Sequence, residues 1–298
     1  MKQKLSFLIL LFLIHVSLGC SRTGFAQEHH EESSATGFTD EDFEQHLIEL
    51  NEKVPEEGFT IIIEKPFVVI GNEAPSKVMY RAEHTIKWAV EKIKQDYFKK
   101  GPEDIIDIWL FKDKASYEKY IKEIFGDEPS TPFGYYSDYD KALVMNISTG
   151  GGTLVHEIVH PFMHANFPNC PSWFDEGLAS LFEQCGEKDG HIYGYTNWRL
   201  EGLQESIRKG IVPSFEKLTS MSFHDFYNLD KGTNYGQARY LCYYLQVNGL
   251  LVTFYHKFNT NRKEDPTGYQ TLKKILGEED MEKFKEKWEA FILNLRFP

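Results

Sequence analysis

Apolar residues run almost unbroken from Leu5 to Leu18, thin out through a polar stretch, and return at Phe43, Leu47, Ile48 and Leu50. That second group has the spacing of a short amphipathic helix starting near Thr39 or Asp40. Residues 60–70 (TIIIEKPFVVI) then read as a strand or hairpin interrupted at Pro66. Val78, Ala82, Ile86, Ala89, Val90 and Ile93 give residues 76–98 a helical period, which Gly101-Pro102 stops. Residues 104–111 predict a strand, 115–125 a short helix ended by Gly126, and 135–147 a strand or hairpin turning at 138–141. This alternation predicts a small mixed sheet with helices packed on it over residues 59–152. From Trp173 onward the pattern is helical, with helices expected at about 173–185, 196–209, 214–228, 233–247, 249–259, 267–276 and 278–295. The fold class expected is α+β: one body over 59–298, sheet-rich to 152 and mostly helical from 153.

The first apolar run follows Lys2 and Lys4, has the length of a signal-peptide core and is too short to span a bilayer. Residues 1–26 are therefore expected to be a signal peptide, and 27–58 a polar tether followed by the short helix. Gly19-Cys20 resembles the lipobox of bacterial lipoproteins, which implies cleavage before Cys20 and its acylation, although Ser17 stands where that motif usually has leucine. Gly24-Phe25-Ala26 offers a competing cut that would release the protein, so the expected address is the bacterial cell envelope or the space beyond it. His29 and His30, in the tether, read as solvated.

Charge narrows the partners. A net charge of −12 gives no basic face for phosphates, so nucleic acid is not expected. Contact with a membrane is expected only through a lipid on Cys20. With Cys20 acylated or removed, Cys170, Cys185 and Cys242 remain, an odd number that allows one bridge at most. A Cys170–Cys185 staple and three buried thiols are the two alternatives, and Cys242 reads as core.

The densest chemistry lies in residues 153–164, TLVHEIVHPFMH. On a helix His156 and His160 share a face about one turn apart, so both imidazoles can converge on one ion with Glu157 close beside them. This HExxH arrangement supplies two nitrogen ligands for Zn²⁺ and a carboxylate placed to take a proton from water that the ion activates. Pro161 removes the N–H that would bond to the Glu157 carbonyl, so the helix is expected to bend or end there. His164, a further turn along, is too far from His156 to share its ion and reads as a packed or hydrogen-bonded side chain. Three glycines at 150–152 precede the helix. They lack the residues of a phosphate loop and read as a place where backbone approaches closely beside a cleft.

Catalytic zinc takes three protein ligands. The candidate third is Glu176 in PSWFDEG at 171–177. Ser172 is a credible N-cap with Asp175 three residues on, which places Glu176 in the first turn of a new helix, where the dipole favours an ionised carboxylate. Asp175 reads equally as a capping partner and as a carboxylate supporting a metal ligand.

HEIVH followed by WFDEGLA resembles the gluzincin metallopeptidases, especially the aminopeptidase N-like branch and its compact bacterial peptidase-MA-like relatives. The resemblance spans about residues 142–247. It implies a zincin-like fold with the active site in the cleft between the two halves, His156, His160 and Glu176 as zinc ligands, and Glu157 as general base. Fifteen residues separate His160 from Glu176, fewer than in the aminopeptidases. Thr233-Asn234-Tyr235-Gly236 is similar to the start of the helix whose tyrosine stabilises the tetrahedral intermediate, which implies that role for Tyr235. The aminopeptidases' G-x-M-E-N motif, which grips a free amine, is absent, so nothing points to aminopeptidase specificity. The expected function is zinc-dependent hydrolysis of a peptide or protein substrate, with residues 142–147 as the edge strand that pairs with it. Two other readings share the motif: a zinc-holding binding or envelope-assembly protein, and a hydrolase of non-peptide amides or esters.

Overall fold

A five-stranded sheet organises the N-terminal half of the computed structural model, which describes residues 37–129, 131–229 and 232–298. The signal-type segment, Cys20 and the His29-His30 stretch lie outside the described residues. β1 (Thr60–Glu64) and β2 (Phe67–Gly71) form an antiparallel hairpin turning at Lys65-Pro66. β3 (Ile106–Phe111) lies parallel to β2, and β5 (Ala142–Asn146) parallel to β3. β4 (Gly134–Ser137) pairs antiparallel with β5 and closes the spatial order β1-β2-β3-β5-β4.

The expectation of an edge strand at 142–147 is therefore corrected. β5 is hydrogen-bonded on both sides, and β4 forms that margin of the sheet. Its all-buried side chains are what an inner strand requires.

Period-two alternation sorts the strands' side chains between two helical layers. Phe67, Val69, Ile106, Ile108, Leu110, Leu143 and Met145 face a core shared with α2 (Pro75–Arg81), α3 (Trp88–Asp96) and α5 (Gly152–Asn166). A π-helical segment, Ala82–Lys87, joins α2 to α3, so the predicted helix is continuous but locally widened, with its hydrogen bonds reaching five residues back. Val68, Ile70, Trp109, Phe111 and Val144 face α1 (Asp40–Leu50) and α4 (Lys114–Tyr120).

α1 starts where the sequence predicts. Thr39 caps it by accepting from the Asp42 N–H, and Asp42 answers by accepting from the Thr39 N–H. His46 then ties it to the sheet through Nε2 and Asp107 Oδ1, 2.7 Å apart. This hydrogen bond raises His46 above the ordinary histidine value of 6.5, against the opposing effect of partial burial. A raised folded-state pKa stabilises fully below 6.5, and the gain disappears as pH rises through the folded value. His46 is partly buried and Asp107 buried, so salt screens the pair only in part. Wild type is expected to be more stable than His46→Gln in urea unfolding at pH 5.5, with the gap narrowing as pH rises above 6.5. A gap that does not vary with pH would refute the linkage.

The C-terminal half is mostly helical: α6 (Ser172–Leu181), α7 (Arg199–Arg208), α8 (Phe215–Thr219), α9 (Phe223–Asn228), α10 (Thr233–Val247), α11 (Leu251–Asn261), α12 (Tyr269–Leu276) and α13 (Met281–Asn294). Two expectations change. The helix predicted over 173–185 ends at Leu181, and a hairpin follows, β6 (Cys185–Lys188) and β7 (His191–Gly194). Its turn is Asp189-Gly190, both at positive φ (53° and 82°), the geometry an Asp-Gly hairpin needs. The helix predicted over 214–228 is two, because Ser214 and Ser222 each start one by accepting from the N–H three residues on. Cys170, Cys185 and Cys242 are free thiols. No helix among the described residues is long and apolar enough to cross a membrane.

Candidate metal centre

α5 carries His156, Glu157 and His160, and it does not stop at Pro161. Every residue from Leu154 to Met163 is buried, so packing on all sides offsets the single backbone bond that the proline removes. Imidazoles one turn apart bring their ring centroids to 5.0 Å. α6 lies against α5 and supplies the third group. Donor atoms of His156, His160 and Glu176, all buried, lie within 4.8 Å of one another. The sequence-predicted ligands therefore meet.

Two glycines set these elements in place. A methyl group on Gly152, at the start of α5, would sit 2.0 Å from the Glu183 carbonyl oxygen. On Gly177 it would meet the Ala238 carbonyl oxygen of α10 at 3.0 Å and Cys242 Sγ at 3.1 Å. The close approach expected of the glycine run is thus real and falls on Gly152.

The start of α6 differs from expectation. Pro171 occupies the N-cap position in extended conformation, so Ser172 is already helical and makes no side-chain cap. Asp175 then falls in the first turn and Glu176 one residue beyond it. Released from capping, Asp175 Oδ1 accepts from His160 Nδ1 at 3.0 Å. Of the two readings of Asp175, the capping one is not realised, and its carboxylate contacts a candidate ligand instead. His164 is half-exposed, with Nε2 3.9 Å from Asp175 Oδ2 and its ring 6.0 Å from Tyr136, outside the donor group.

Glu183 stands beside His156 as Asp175 stands beside His160, but farther off and without the hydrogen bond. Its Oε1 lies 3.5 Å from His156 Nδ1, which makes no hydrogen bond. Arg199 grips Glu183 at both oxygens, Nε to Oε2 at 2.9 Å and Nη2 to Oε1 at 2.6 Å, and Asn197 Nδ2 donates to Oε2 at 2.9 Å. Arg199 in turn lies over Trp198 (4.2 Å) and Tyr235 (5.1 Å). Carboxylates that orient the far nitrogen of a ligating histidine typically contribute 10- to 100-fold in metal affinity. Asp175→Asn and Glu183→Gln are each expected to weaken zinc binding by about that factor in competition with a chromophoric chelator. Unchanged affinity in both would refute these roles.

Tyr227 and Glu176 make the remaining contact. Tyr227 Oη donates to Glu176 Oε1 at 2.6 Å, while Glu176 Oε2 is buried without a hydrogen-bond partner, 3.3 Å from His156 Nε2. Burial and the adjacent Glu176 charge push the Tyr227 phenol far above its usual range, so it remains a donor. Tyr235 is half-buried, its ring centroid 5.2 Å from Phe226 and 6.1 Å from Tyr227.

Electrostatics favours a cation. Glu157, Asp175 and Glu176 are buried and Glu183 nearly so, with Arg199 the permanent charge bound to this group. Burial raises the Glu157 carboxyl. It would also raise Glu176, but the flanking imidazoles hold that group low. Burial would lower both histidines, yet their carboxylate neighbours raise them, His160 mainly through Asp175 and His156 mainly through Glu176. The metal-free cluster therefore draws protons, which a divalent ion would displace. An orphaned carboxylate oxygen beside two imidazoles is a donor set that suits zinc.

Sequence reading missed Glu183, Arg199 and Tyr227. Glu183 lies in the turn just after α6, where helical spacing from Glu176 no longer applies, so no local signal marks it. Comparison with protein families and with curated proteins finds no match to this chain. The chemistry of the site therefore carries the functional argument.

Proposed function

We propose that this chain is an exported, zinc-dependent peptidase of the gluzincin type, with a zincin-like fold whose active site lies in the cleft between its two halves. The observation that carries the reading is the buried convergence of His156, His160 and Glu176 with Glu157 beside them. Zinc bound by these three residues supplies a Lewis acid that lowers the pKa of water toward neutrality. Glu157 then takes a proton from the attacking water and delivers it to the leaving amine nitrogen. Tyr235 Oη donates to the oxygen of the scissile carbonyl as negative charge develops there. Asp175 and Glu183 keep the two imidazole rings turned toward the ion. β4, at the sheet margin and in contact with α5, takes over from β5 the pairing with an extended substrate.

The test is incubation of the purified full chain with a diverse peptide library, read by mass spectrometry. Cleavage that a chelator abolishes and zinc restores is expected. Silence toward peptides, with metal bound, would move the reading to a non-peptide amide substrate or to a binding role.

A further inference from the structure

Glu176 keeps its two carboxylate oxygens in different company. Oε1 is held by the Tyr227 hydroxyl at 2.6 Å, and Oε2, buried, accepts no hydrogen bond. We propose that Tyr227 fixes Glu176 as a one-oxygen ligand, occupying Oε1 so that Oε2 alone faces the ion. A carboxylate free at both oxygens can bind an ion through both, which adds a ligand atom where water should sit.

Tyr227 is built to hold that position. Its ring packs on Phe226 (5.4 Å), on Phe223 (4.5 Å) and on Tyr235 (6.1 Å). Phe226 is fully buried, and Ser222 Oγ accepts from the Asp225 N–H at 3.1 Å to start the helix that carries Phe223, Phe226 and Tyr227. Removing the hydroxyl leaves the packing intact and frees one oxygen. Tyr227 is thus a positioning residue, acting on the ion's surroundings through Glu176. The inference rests on the metal reading of the site and is independent of whether peptides are the substrate.

Cobalt(II) is the probe, added to the metal-free full chain. Wild type is expected to bind one equivalent with the strong visible absorption of a low-coordinate ion. Tyr227→Phe is expected to bind about 10- to 100-fold more weakly, with weaker absorption per bound ion as the coordination number rises. Equal affinity and superimposable spectra would overturn the assignment. So would a lowered melting temperature of the metal-free variant with an unchanged spectrum, since that is what a purely structural hydroxyl gives. Wild type that takes up no cobalt would overturn the metal reading itself, a distinguishable failure. Should the variant not fold, a crystal structure of the cobalt-loaded wild type decides. Oε2 alone within about 2.0–2.2 Å of the ion supports the proposal, and two bound oxygens overturn it.

Discussion

Glu157→Gln is expected to keep one equivalent of zinc and to lose roughly 10²- to 10⁴-fold in peptide hydrolysis. Glutamine fills the same volume and can hydrogen-bond, but it cannot accept a proton and hand it on. The position makes the prediction sharp. Glu157 is 9 % exposed, on the same helix as both imidazoles and outside the three-donor group. Metal content by elemental analysis, set beside turnover of whichever library peptide wild type cleaves, separates the two effects. A glutamine variant that turns over at the wild-type rate with zinc bound would end the general-base assignment. Loss of zinc together with activity would instead make Glu157 part of the ion's support.

The other large effect is expected at His160. His160→Ala leaves two donors of three and strips Asp175 of its 3.0 Å partner. Zinc content should fall from one equivalent to a small fraction of that. An ion that binds only the folded chain stabilises it by mass action, about 2.7 kcal/mol when free ion is a hundredfold above its dissociation constant. Added zinc should therefore raise the melting temperature of wild type and leave that of His160→Ala where it was. The metal-free variant should also melt lower, because a buried carboxylate stripped of its charged partner costs about 3–5 kcal/mol. Wild-type stoichiometry and affinity in His160→Ala would refute the three-donor site.

How much of this was legible follows from the range of each interaction. His156, Glu157 and His160 are set by one helix, so i,i+4 spacing suffices to place them on a common face. Glu176 comes from a second helix, so no spacing rule ties it to the histidines; the need for a third ligand and a nearby helix start point to it, and that helix starts one residue earlier than the Ser172 cap implies. The layered sheet was visible as alternation, but which strand lies at the margin depends on strand order, a tertiary fact that residues 142–147 do not encode locally. The Asp189-Gly190 hairpin was readable in principle; its turn signal was overridden by the apolar run before it. Tyr227 and Arg199 carried no local signal. Each reaches the site from 51 and 16 positions away through a single hydrogen-bonded carboxylate, Glu176 and Glu183 respectively.

Gly152 and Gly177 supply no donor themselves, yet Gly152 leaves less room than a methyl group needs and Gly177 only just enough, at 3.0 Å from the Ala238 carbonyl oxygen. Displacement by a fraction of an ångström at either would carry α5 away from Glu183, or α6 away from α10, and spread the ligands with them. In a saturation scan Gly152 should therefore score as severely as the histidines, on grounds of clearance alone, and Gly177 should tolerate nothing larger than alanine. Sensitivity to substitution will not by itself separate the residues that grip an ion from those that merely let their helices come close enough to do so.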